Sequence, residues 1–176
     1  MKRNLLLFLM AFLALLLQTT VFNQFNIAGV KPDLILVLVI CLSVVNGPRR
    51  AGVLGFSLGL LEDFYLGRFI GMNAVSKGAA AVVVGWFTLG AFSENLLVPI
   101  VSVFLGTVFN TILYFLIGHM LDLNWTLQLW LWNTIPLAIF NMCIVPFIYS
   151  RFYYFAQGLD YRTDADIGGR RTHGAA

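Results

Sequence analysis

Charge is what this sequence has least of. Of its 176 residues only 11% are Asp, Glu, Lys or Arg, against roughly 25% in soluble globular domains. That scarcity excludes a chain with a solvated, charged surface. A nucleic-acid-binding role is excluded with it, because the net charge of +3 is small and its basic residues lie at helix ends and in the C-terminal tail. Cysteine is nearly absent: Cys41 and Cys143 each sit inside an apolar run, with no C-x2-C spacing. They read as small buried hydrophobes, so neither a disulfide framework nor a thiolate metal site is expected. Histidine is limited to His119 and His173, and HExxH, GxSxG and P-loop patterns are missing. Ser76 and Lys77 are neighbours, hence about 100° apart on a helix, and cannot form a dyad by themselves. The expectation is a protein that is not an enzyme, with no cofactor and no metal.

Apolar residues are what the chain does have, at 60% of the total and a mean hydropathy of +0.86. A membrane-spanning helix needs about 20 of them in succession. Charged residues divide the chain into six such runs, near 4–22, 32–48, 51–66, 73–92, 96–118 and 127–150. The fold class expected is all-α and integral to a membrane, with six transmembrane helices in a compact bundle. Residues 1–155 form that domain, and 156–176 form a polar cytoplasmic tail expected to be disordered. The first run, behind Lys2 and Arg3, has features of a signal peptide, but no A-x-A site follows it and it is long enough to span, so a retained helix is expected.

Orientation follows from the basic residues. With the N-terminus cytoplasmic, Lys2, Arg3, Arg49, Arg50, Arg151, Arg162, Arg170 and Arg171 fall inside, and Lys31, Arg68 and Lys77 outside. Both termini are then cytoplasmic. Trp125, Trp130 and Trp132 fall at the outer interface, and Tyr149, Tyr153 and Tyr154 at the inner one.

One pattern stands out. Gly55, Gly59, Asp63 and Gly67 recur every four residues, forming one ridge on a helix. Each interior glycine costs about 1 kcal/mol relative to alanine, which a membrane helix recovers by letting a neighbour approach closely. Ala74, Gly78, Ala81 and Gly85 give the next run a similar face, so the two read as a tightly packed hairpin. Internal packing and docking of another membrane protein both remain open for these faces. Only Ala51 to Leu61 is uncharged between Arg50 and Glu62, about 16 Å of helix against a hydrocarbon core near 30 Å. Glu62 and Asp63 therefore sit at membrane depth or cap a helix within protein, since lipid-facing carboxylates are costly. Asp63 is expected either to pair with Lys77 or Arg68 or to cap a helix. Glu62 is expected to face the outer headgroups, and Lys77 has snorkelling as an alternative.

The order of these features resembles the MreD family of rod-shape-determining membrane proteins. The resemblance rests on Leu17-Gln18-Thr19, then Gly29-Val30-Lys31-Pro32-Asp33, then Gly47 with Arg49-Arg50. It continues through Gly52, Gly55-Phe56, Gly59-Leu60, Asp63, Gly67, Gly71, Asn73-Ala74 and Gly85, covering roughly residues 14–90. It implies a non-enzymatic scaffold of the bacterial elongation machinery in the cytoplasmic membrane, supporting lateral peptidoglycan synthesis and rod shape. The partners it implies are the bitopic protein MreC, the polymerase RodA with its transpeptidase, and MreB indirectly. Lys31, Asp33, Arg49, Arg50, Gly55, Gly59, Asp63, Gly67 and Lys77 become the partner-binding or structural residues. The family's fold is similar to the substrate-binding subunits of energy-coupling-factor vitamin transporters. That makes such a subunit the alternative, with Asn110, Asn133 and Trp132 as ligand contacts. The first run offers only Ala11 and Ala14 where a coupling subunit would want an alanine ridge, which favours the shape-determining family.

Overall fold

Glycine and proline set the helix boundaries. The computed structural model describes residues 12–18, 20, 30–67, 69–90, 95–123, 126–128 and 130–149. The expectations for Lys2, Arg3, Arg68, Trp125, and the tail from residue 150 onward lie outside them. The described residues form six helices: α1 over 12–18, α2 Leu34–Asn46, α3 Pro48–Leu66, α4 Met72–Phe87, α5 Leu97–Met120 and α6 Trp130–Tyr149. Asp33 starts α2, its Oδ1 accepting from Leu36 N at 2.8 Å. Gly47, at φ 77°, donates its N–H to Ser43 O and ends it. Pro48 then opens α3, where its fixed φ suits the first turn and its missing N–H costs nothing. This helix starts three residues before the expected 51, so Arg49 and Arg50 lie exposed in its first turn.

Helix α2 is the centre of the bundle. Every residue from Leu34 to Val44 is buried, as befits a helix that is hydrophobic all round, and it meets α3, α4 and α5. Its 13 residues measure about 20 Å, short of a hydrocarbon core near 30 Å. Helix α2 is a pillar enclosed by protein. Helices α5 and α6, of 24 and 20 residues, are long and apolar enough to cross a membrane. Most of their surface points outward, with Leu97, Val101 and Leu105 exposed on α5 and Ile135, Ile139 and Phe147 on α6.

Among α2 to α5 the most extensive packing joins α3 to α4. A Cβ added at Gly59 would lie 2.5 Å from Asn73 O and 2.7 Å from Ala74 Cα. One added at Gly55 would lie 2.8 Å from Val39 Cγ1 and 3.0 Å from Lys77 O. At Gly55 and Gly59 the glycine ridge thus lies against α4 and the pillar. Gly67 differs from both. Nothing stands within 4 Å of its would-be Cβ, and it ends α3 at φ 63° with its N–H on Asp63 O.

Candidate functional site

Three charged side chains meet inside the bundle. Lys77, from the second turn of α4, has no exposed surface. Its Nζ lies 2.7 Å from Asp33 Oδ2 and 2.9 Å from Asp33 Oδ1, and donates also to Glu62 Oε2. Helical side chains lean toward the helix N-terminus, so the long lysine stem reaches back toward the start of α4. Asp33 and the end of α3 are both there. Glu62, itself buried, accepts at Oε1 from Gln18 Nε2 at 3.0 Å. Gln18 Oε1 in turn accepts from Leu34 N at 3.1 Å and Ile35 N at 3.5 Å. On the far side, Asp33 N donates to Asn141 Oδ1 at 2.9 Å, and Asn141 Nδ2 to Thr107 Oγ1 at 3.2 Å.

Followed end to end, this network takes one residue from each helix: Gln18, Asp33, Glu62, Lys77, Thr107 and Asn141 in chain order. Two carboxylates share one ammonium, and the remaining negative charge is offset by the N–H groups at the start of α2, on which Asp33 sits. Removing one partner of a buried pair leaves an uncompensated charge, which is strongly destabilising.

Asp63 stands apart. It does not pair with Lys77, correcting one of the two partners expected for it; the other, Arg68, lies outside the described residues. Its Oδ2 accepts from Gly71 N at 2.9 Å and Ala74 N at 3.1 Å, and its Oδ1 from Asn73 N at 3.1 Å and Asn73 Nδ2 at 2.9 Å. This carboxylate from α3 caps the start of α4, where backbone donors have no intrahelical acceptor. Adjacent residues on a helix point about 100° apart, so Glu62 turns into the bundle centre while Asp63 turns to the neighbouring helix start. The expectations of Glu62 among headgroups and of a snorkelling Lys77 are corrected by the same geometry, since both are buried.

The other sequence candidates scatter. Lys31 is exposed, and Arg49 and Arg50 are exposed at the opposite end of α3. Asn110 is buried, and its Oδ1 finds no partner among the described residues. Asn133 and Trp132 are exposed, so the three contacts of the transporter reading do not converge. Gln18 entered the sequence reading only within the motif that carries the resemblance, and Thr107 and Asn141 were missed as site residues, their signal being polarity inside otherwise apolar runs.

Hydroxyls near the network are turned to backbone: Ser43 Oγ donates to Ala81 O, and Ser76 Oγ to Asn73 O at 3.4 Å. Among the described residues no group of three or more His, Cys, Asp or Glu side chains could hold a metal ion. The arrangement holds helices together; every charged group in it is engaged by another part of the chain.

A family model described as rod shape-determining protein MreD matches residues 1–155. No curated protein and no solved structure matches the chain.

Proposed function

The chain belongs to the MreD family, and from that premise we propose that it is a non-enzymatic scaffold of the bacterial elongation machinery. The family is one of rod-shape determination by integral membrane proteins. The finer reading is that this chain crosses the cytoplasmic membrane several times with both termini cytoplasmic. It binds an MreC-like protein with a single membrane helix, and through it supports lateral peptidoglycan synthesis by RodA and its transpeptidase, with MreB connected indirectly.

The observation that carries this reading is the network itself. Lys77 is held by two carboxylates and Asp63 by four donors. A charge so engaged braces the bundle; it is not free to abstract protons or ligate an ion. With the α3–α4 ridge occupied internally, the hairpin is stiff. The partner's helix then docks on an outward apolar face of this rigid body, through packing rather than hydrophobic transfer, since lipid is as apolar as the interface.

The test is complementation. In rod-shaped cells depleted of their own MreD, the wild-type chain and Ser57→Ala, an exposed site bonded only within its own helix, restore rods. Lys77→Met leaves round cells. Rods supported by Lys77→Met at normal protein level would remove the network from the mechanism.

A further inference from the structure

The last turn of α3 and the link to α4 carry an apolar surface where a turn in water would be polar. Phe64, Tyr65, Leu66, Phe69 and Ile70 are all exposed. The start of α4 beneath them, however, needs no water. The first amides of a helix lack intrahelical acceptors, yet from Gly71 to Val75 each one is accounted for. Gly71, Asn73 and Ala74 donate to the Asp63 carboxylate, Met72 to Phe69 O at 3.3 Å and Val75 to Gly71 O at 2.9 Å.

The start of α2, at the same end of the bundle, is treated alike. Asp33 N goes to Asn141, Leu34 N and Ile35 N to Gln18, Leu36 N to Asp33 Oδ1 and Val37 N to Asp33 O. By contrast α3 starts at the other end with no side-chain cap, beside the exposed Arg49 and Arg50. The start of α3 thus has no side-chain cap, whereas the starts of α2 and α4 are engaged by side chains of neighbouring helices. Helix starts engaged from within, beneath an apolar surface, suit hydrocarbon, because lipid offers no hydrogen bonds.

We infer that the α3–α4 turn is immersed in the bilayer, with Phe64, Tyr65, Leu66, Phe69 and Ile70 against the lipid acyl chains. In the orientation proposed above this is the outer leaflet. Hairpin α3–α4 and pillar α2 then end below the membrane surface, while α5 and α6 cross it fully. The charged network and the Asp63 cap lie at that depth, sealed by protein.

Spin labelling of the purified full chain tests this in vesicles of phosphatidylethanolamine and phosphatidylglycerol. Replacing the exposed Cys143 by alanine leaves only Cys41, which is buried from the label. Labels are then placed at Ile70→Cys or Phe64→Cys, both surface sites, with Arg50→Cys as the aqueous reference. Immersion gives an oxygen-to-nickel-complex accessibility ratio several-fold higher at 70 and 64 than at 50. Equal nickel accessibility at all three would put the turn in water and overturn the inference. Low accessibility to both probes with spin–spin broadening would show a second copy covering the turn, and would overturn it as well.

Discussion

Lys77 is buried between two carboxylates, so its loss is costly. Exchanging it for methionine strands Asp33 and Glu62 together in the interior, a loss of about 3–5 kcal/mol for a broken buried pair. Adding Glu62→Gln to Lys77→Met removes one stranded charge, so the double variant should be less destabilised than the sum of the two single changes. Thermal midpoints of all three variants in mild detergent, read as a double-mutant cycle, check this; simple additivity would mean that the pair is not coupled. At this scale the sequence was partly legible. The run expected to open near residue 32 does so, with Asp33 capping α2 through its Oδ1. The capping alternative for Asp63 likewise matches its place at the start of α4. The pairing of Lys77 with Glu62 and Asp33 was not legible. It depends on azimuth around three helices, and a one-residue step along α3 changes the direction by about 100°.

At the scale of elements, the two kinds of glycine in α3 make opposite predictions. Gly59 has Asn73 backbone at 2.5 Å from its would-be Cβ, whereas Gly67 has open space and a left-handed φ of 63°. Gly59→Ala must push α3 and α4 apart, costing about 1–3 kcal/mol as overpacking does, and Gly59→Leu should prevent the hairpin from forming. Gly67→Asn should be nearly neutral, because asparagine is tolerated in αL caps. Limited proteolysis of each variant in detergent reads the difference; equal susceptibility at both sites would contradict the close α3–α4 contact. The hairpin and its connecting turn were legible because glycine and the four-residue spacing act locally; its outer ends were not, since α3 starts at Pro48 and α4 ends at Phe87. That α2 is an enclosed pillar was not, since hydropathy records an apolar surrounding without telling lipid from protein.

For the whole molecule, one polar chain from Gln18 to Thr107 threads all six helices, while the outward faces of α5 and α6 stay apolar. A body braced inside and smooth outside suits a protein that organises others. The family match over residues 1–155 places it among rod-shape-determining membrane proteins. The sequence reached that class through an ordered set of residues. It missed Asn141 and Thr107, the links to α5 and α6, because an isolated polar residue in a long apolar run has no distinguishing spacing. The measurement that tests the scaffold reading most directly is a pull-down of the tagged full chain from native membranes in mild detergent, run beside Gly59→Leu and read by mass spectrometry. The account predicts that the wild-type chain brings down a coiled-coil protein with a single membrane helix together with cell-wall synthases, and that the variant loses both. Recovery of an ATPase pair with a large membrane coupling subunit would contradict it.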